Sequence, residues 1–298
     1  MHGKPKINSL TPKPLFYHLL AFATVSIWGV TFVSTKILID EGLSPMEIFI
    51  YRFLIAYIGI VILTHDRLWA NSFKDEGLLF IAGISGGSLY FIAENSALGI
   101  TFASNVSLLI CTAPIFTMLL GKVILHIPFH RQMFAGSVIA LCGVGCVVLN
   151  DSFNLGLNPL GDLLTMTAAL LWAVYCIVLK ILDNRYSIFF ITRKVFFYGL
   201  LSAGIILVSH PCRFDLGLLC IPVVYGNLLF LGVLASMICY IMWNNAVKVI
   251  GAEKTSNYIY CVPLITILTA VIFLSEPVTA YTIIGTIMII GGVYLAEK

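Results

Sequence analysis

Glu94 is the residue whose type and place most invite chemistry, because it sits inside an apolar run from about 77 to 98. A carboxylate in the body of a membrane helix costs roughly 2.5 to 3.5 kcal/mol on insertion scales unless a cation or water compensates it. Arg52 and Lys36 stand at similar depth in neighbouring apolar runs, so an ion pair or triad with Glu94 is geometrically open. Such a group would hold and release a proton or receive a cationic ligand; as plain structure, Glu94 would be a strut for Arg52.

Rings and amides gather in the same runs. Trp28, Tyr90, Asn95 and Asn105 in the first half, and Trp172, Tyr175, Tyr240, Tyr258 and Tyr260 in the second, offer stacking, hydrogen bonds and cation attraction to an amphipathic solute. Trp243 and Asn244 belong to the same set, although their depth also suits a membrane-interface belt. Pro114 and Pro263 stand near the middle of two further runs. Proline lacks an N–H and crowds the carbonyl four residues earlier, which would free acceptors on Ile110 and Ile259. Kinks there would serve as hinges or face a wet cavity; the plainer reading is a packing kink satisfied by a neighbouring Ser or Thr.

The elements that must position these residues follow from composition. Of 298 residues 60% are apolar and 10% charged, and the mean hydropathy is +1.01, values that point to a polytopic membrane protein. Ten apolar stretches of about 20 residues can be drawn, near 17–39, 46–64, 77–98, 103–125, 132–150, 159–181, 187–209, 223–246, 254–274 and 279–296. The first follows a basic segment but has no small-residue cleavage site, and is expected to be a retained helix.

The chain also matches itself. An offset of 149 lays Gly232 on Gly83, Ala246 on Ala97, Pro263 on Pro114, Pro277 on Pro128, Gly285 on Gly136 and Gly292 on Gly143. Upstream the offset is 144, pairing Trp172 with Trp28 and Lys180 with Lys36. The expected organisation is therefore an N-terminal segment (1–16), a first five-helix repeat (17–150) and a second (151–298). Five is odd, so the second copy enters the membrane from the opposite side, and two inverted repeats can exchange roles in alternating access. The partner of Glu94 in the repeat is Trp243, so any charge mechanism is asymmetric.

Lys4, Lys6, Lys13, Arg67, Lys74, Arg131, Arg185, Lys248, Lys254 and Lys298 fall on one side of this arrangement and Arg213 alone on the other. The positive-inside tendency then puts both termini in the cytoplasm, and the net charge of +3 reports topology, with no nucleic-acid partner expected. Eight scattered cysteines without a C-x-x-C pair imply no metal site; only Cys212 and Cys220 are placed to meet an oxidising compartment. No phosphate loop and no H-E-x-x-H occurs, and no cofactor and no catalytic residues are expected. Gly83 and Gly87, and Gly136 and Ala140, permit close helix approach; dimerisation through the fifth or tenth helix stays open.

These segments, "SIWGVTFVSTK" (26–36) with its echo "LLWAVYCIVLK" (170–180), "ENSALGITFASNVSLLICTAPIFTMLLG" (94–121) and "NNAVKVIGAEKTSNYIYCVPLITILTAVIFLSEPVT" (244–279), resemble the EamA-type branch of the drug/metabolite transporter superfamily. The first copy departs from the second in carrying Ile127-Pro128 where the second has Glu276-Pro277. The resemblance implies ten helices in two inverted five-helix repeats and movement of small organic solutes, often outward. The expectation is an all-α integral protein of the inner membrane that carries an amino acid, nucleobase or drug-like solute, with proton coupling through Glu94 as one option. The rival is a channel or scaffold that transports nothing.

Overall fold

A computed structural model describes residues 14–64, 67–101, 103–128, 131–149, 158–182, 185–209, 214–274 and 280–297. Among the described residues the chain forms ten helical units and no strand. They are α1 (Pro14–Asp40), α2 (Pro45–Leu63), α3 (Phe73–Ile100), α4 (Ala103–Ile110 with Ala113–Ile124), α5 (Arg131–Leu149) and α6 (Pro159–Ile181). Then come α7 (Ile188–Ser209), α8 (Pro222–Ile250), α9 (Ala252–Asn257, a 3₁₀ turn Tyr258–Cys261, and Val262–Leu274) and α10 (Ala280–Glu297).

Local signals explain the starts. Ser44 caps α2 by accepting from Glu47 N (3.3 Å), while Glu47 Oε2 accepts from Ser44 N (2.9 Å), with Pro45 in the first turn where its missing N–H costs nothing. Asn158 and Pro159 repeat that logic at α6, the Asn158 Oδ1 accepting from Gly161 N at 3.2 Å.

Six helices, α1, α2, α3, α6, α7 and α8, are long and apolar enough to cross a membrane. Shorter apolar helices include Ala113–Ile124, Arg131–Cys146, Val262–Leu274 and Ile283–Ala296. Part of the shortfall against ten full-length stretches has a physical cause: α4 is interrupted at Cys111–Thr112 and α9 at its 3₁₀ turn, each just before a proline. Pro114 therefore stands in the first turn of a new helix and does not bend a continuous one. At α9 the Ile259 carbonyl accepts from Val262 N and lies 3.6 Å from Cys111 Sγ, so a thiol stands where a Ser or Thr hydroxyl was expected.

Large apolar side chains such as Leu19, Ile62, Val208 and Ile287 are exposed on the outside of the bundle. Such faces suit lipid, where no water is displaced from them. Inside, the helices pair in a regular way. α3 packs on α6 and α7, α8 packs on α1 and α2, α4 packs on α6, and α9 packs on α1. α2 lies against α7, and α5 lies along α10 with glycine facing backbone.

Glu276, Pro277, Cys212 and Lys298 lie outside the described residues, as does the side chain of Asn105. Cys220 is exposed.

Candidate functional site

Two wide turns shape the centre of the bundle. α3 and α8 each relax into π-helix, at Ile84–Ser88 and Phe230–Ile238. A π-turn strains the regular ladder and leaves backbone acceptors for other donors, which is why it recurs at functional sites. In α3 the turn carries Gly86, where even a methyl carbon would stand 2.4 Å from the Tyr175 ring, so only glycine lets that ring in.

Side chains take the carbonyls these turns present. Trp28 Nε1 donates to Ala235 O at 2.9 Å, and the Tyr240 hydroxyl donates to Gly86 O. Gly86 and Ala235 are the same position of the repeat, 149 residues apart. Trp172, the counterpart of Trp28, has no such bond: its buried Nε1 has no partner among the described residues. Tyr240 occupies the acceptor that symmetry would offer it, because the residue matching Tyr240 in the first copy is Phe91, which has no hydroxyl.

Between these turns lies a cavity of about 490 Å³ with walls from α1, α2, α3, α4, α6 and α9. Trp28, Tyr90 and Trp172 form its aromatic wall, Trp28 to Trp172 at 5.1 Å between centroids and Tyr90 to Trp172 also at 5.1 Å. Glu94 and Arg52 supply its charges. The Tyr90 hydroxyl donates to Glu94 Oε1 at 2.7 Å. Arg52, 1% exposed, donates from Nε to Ser236 Oγ at 3.0 Å and lies over Phe91 with Cζ 4.1 Å from the ring centroid. No ion pair within 4 Å joins Arg52 to Glu94 among the described residues, so the two charges share a cavity without neutralising each other by contact.

Lys36 is not part of this group. Its ammonium bonds Leu98 O (3.3 Å) and sits 3.8 Å from Asp40 one turn on, so the expected triad reduces to Glu94 and Arg52. Asn95 is buried off the cavity wall, its Nδ2 donating to Pro45 O at 3.2 Å. Tyr175 and Tyr240 support the wall from behind: Trp172 is 5.1 Å from Tyr175 and 6.0 Å from Tyr240. The Tyr175 hydroxyl donates to Asn244 Oδ1 at 2.6 Å, and Trp243 packs against Trp28 at 5.0 Å, so both Asn244 and Trp243 are buried in the core of the bundle. Tyr258 pairs with His18 Nδ1 at 2.7 Å, and Tyr260 is fully buried; neither lines the cavity. Thr31, Phe32, Phe91 and Val262, which the sequence does not single out, complete the wall together with Ile110 and Ile259.

The unequal indoles give a direct expectation. Trp28→Phe keeps a ring but strips the donor from a buried carbonyl and should cost about 1 to 3 kcal/mol. Trp172→Phe loses no bond and should leave the melting temperature of the purified protein within a few degrees of wild type. Equal losses in the two variants would show that ring volume, not the Ala235 bond, is what matters.

The profile of the EamA-like transporter family matches residues 15–149 and again 159–297. The chain belongs to the EamA-like transporter family. It is thus a multi-pass membrane protein of a transporter family, not of an enzyme family. Its relatives agree. An uncharacterized transporter of Archaeoglobus fulgidus is 30% identical over 289 residues, 93% of this chain and 96% of the relative. A protein of Escherichia coli K12 named a probable amino-acid metabolite efflux pump is 24% identical over 285 residues, 93% of each chain. One of Streptantibioticus cattleyicolor, named a probable terminal-alkyne amino-acid exporter, is 24% identical over 277 residues, 92% of this chain and 91% of the relative. A solved crystal structure superposes with a TM-score of 0.72 at 17% identity, covering 95% of this chain and 96% of that one, a likeness of fold.

Proposed function

We propose that this EamA-like transporter exports a small organic solute by alternating access, and that the solute is an amino-acid-like zwitterion. The observation that carries the reading is the central cavity, where Glu94 and Arg52 stand unpaired among Trp28, Tyr90 and Trp172. The three rings suit an ammonium group and the guanidinium suits a carboxylate, which leaves the Glu94 carboxylate to take up and release a coupling proton. The names of the two amino-acid exporters among the relatives point the same way. Nucleobases and drug-like solutes remain within the same chemistry of rings and few charges.

The chain is read as ten membrane passes in two inverted five-helix repeats, 17–150 and 151–298, in the inner membrane with both termini cytoplasmic. Support comes from the pairing of helices: α3 with α6 is answered by α8 with α1, and α4 with α6 by α9 with α1. A two-fold relation between halves generates such a pattern. Cross-links fall at matching depths: Lys36 to Leu98 O and Asn158 to Ile100 O at one end, Arg185 to Asp75 and His18 to Tyr258 at the other. Pro114 and Pro263, each just after a helix break, act as the hinges.

Counterflow in liposomes tests the reading. Purified protein should accumulate labelled amino acids against cold solute on the far side. Accumulation of nucleobases or a lipophilic cation instead would correct the substrate class. No accumulation of any of them by folded protein would sink the transporter in favour of a channel or scaffold.

A further inference from the structure

A second charged cavity lies away from the central one, where the α2–α3 and α6–α7 connections meet. Arg67, Arg185 and Arg193 line it together with Thr64, Ser187 and Tyr186, around about 590 Å³. Among the described residues one carboxylate answers these three cations: Asp75, which accepts from Arg185 Nη1 at 2.6 Å and from the Tyr186 hydroxyl at 2.7 Å. Lys194 adds nothing to the count, being bonded to Glu76. Arg67 and Arg193 have no carboxylate within 4 Å among the described residues.

The arginines are held in place. Arg193, 6% exposed, donates from Nη1 to Thr64 O at 2.9 Å, and Arg67 donates from Nε to Trp69 O at 2.8 Å and from Nη2 to Asn71 Oδ1. Both lie over the Phe190 ring, Arg193 at 5.6 Å and Arg67 at 6.0 Å. Three guanidinium groups on the wall of one cavity offer an anion several charged donors at once. Beside the basic cavity runs a second one of about 440 Å³, sharing Arg193 and walled by the apolar faces of Tyr57, Leu68, Trp69 and Phe197 together with Lys194, whose ammonium lies 4.6 Å over the Trp69 ring. Leu68 is 71% exposed and Trp69 67% exposed at its edge.

We propose that this paired cavity between α2 and α7 binds an anionic phospholipid, its phosphate on Arg67, Arg185 and Arg193 and an acyl chain in the groove of Tyr57, Trp69 and Phe197. Bidentate guanidinium recognition fits a phosphate, and a basic pocket between membrane helices fits a charged headgroup. A soluble anion has no use for the adjoining apolar groove. In the orientation proposed above this site faces the cytoplasmic leaflet.

The test uses full-length protein in bicelles. Brominated phosphatidylglycerol should quench the fluorescence of exposed Trp69 at lower lipid fractions than brominated phosphatidylcholine, in wild type. Arg67→Gln, at an exposed position, should weaken the preference for the anionic lipid about fivefold, the worth of one basic residue at a charged membrane. Arg193→Gln should weaken it further and leave quenching by phosphatidylcholine as it was. Equal quenching by the two lipids in wild type overturns the proposal without involving any variant. So does protection of Trp69 by inorganic phosphate alone, which would make the cavity a soluble-anion site.

Discussion

Glu94→Gln is expected to abolish solute uptake driven by a proton gradient while counterflow of the same solute continues. The variant keeps the shape of the side chain and an oxygen for the Tyr90 hydroxyl, which now bonds Glu94 at 2.7 Å. What it removes is the proton that a carboxylate can take up and release. Arg52, held by Ser236 and Phe91 instead of by Glu94, should keep its place, so the protein folds as before. Two other outcomes are informative. Loss of counterflow as well, with apparent affinity down by roughly 10- to 100-fold, would assign the carboxylate to the solute, since a hydrogen bond to a charged group contributes about 1.5 to 3 kcal/mol. Unchanged proton-driven uptake would reduce Glu94 to a strut.

Gly292→Leu should be the most disruptive single change in the bundle. A methyl carbon at 292 would lie 2.5 Å from Ala140 N and 2.6 Å from Gly136 O, both backbone atoms that no rotamer change can move. α5 and α10 would have to separate along their contact, at a cost of about 3 kcal/mol or more. Gly291→Leu is the matched control, because nothing lies within 4 Å of a Cβ there. The two variants share helix and side chain and differ only in face. Yield and melting temperature in detergent should fall steeply for the first and hold for the second; equal behaviour would show that α5 and α10 do not pack this way in solution.

Much of this was legible in the sequence. The glycines that matched at an offset of 149 are the contact points of the bundle: Gly136 meets the backbone of α10, and Gly292 that of α5. Gly83 abuts Tyr198 on α7, and its partner Gly232 abuts Ile55 on α2. Residue type alone also placed Trp28, Tyr90, Glu94, Trp172 and Arg52 in one neighbourhood, because rings and charges on apolar helices have few places to go. Sequence depth alone groups Lys36 with Glu94, but depth says nothing about helix face, and an aspartate one turn on takes the ammonium. Pro114 and Pro263 predict bends where the structure has breaks; a proline constrains the turn before it, but whether that turn bends or opens depends on neighbours such as Cys111. The π-turns left no mark in the periodicity at all. They show only once Trp28 and Tyr240 are seen to hold their carbonyls.

Those carbonyls leave the protein with three donors for two seats. Trp28, Trp172 and Tyr240 can serve Gly86 and Ala235, and a fourth donor is missing because position 91 is phenylalanine. Under the alternating access proposed above, one N–H or O–H would be left over in either arrangement; here it is the indole of Trp172, which lines the cavity. A solute that offers that indole an acceptor would compete with the backbone for it, so the same nitrogen would report both occupancy and the side of the membrane to which the protein is open.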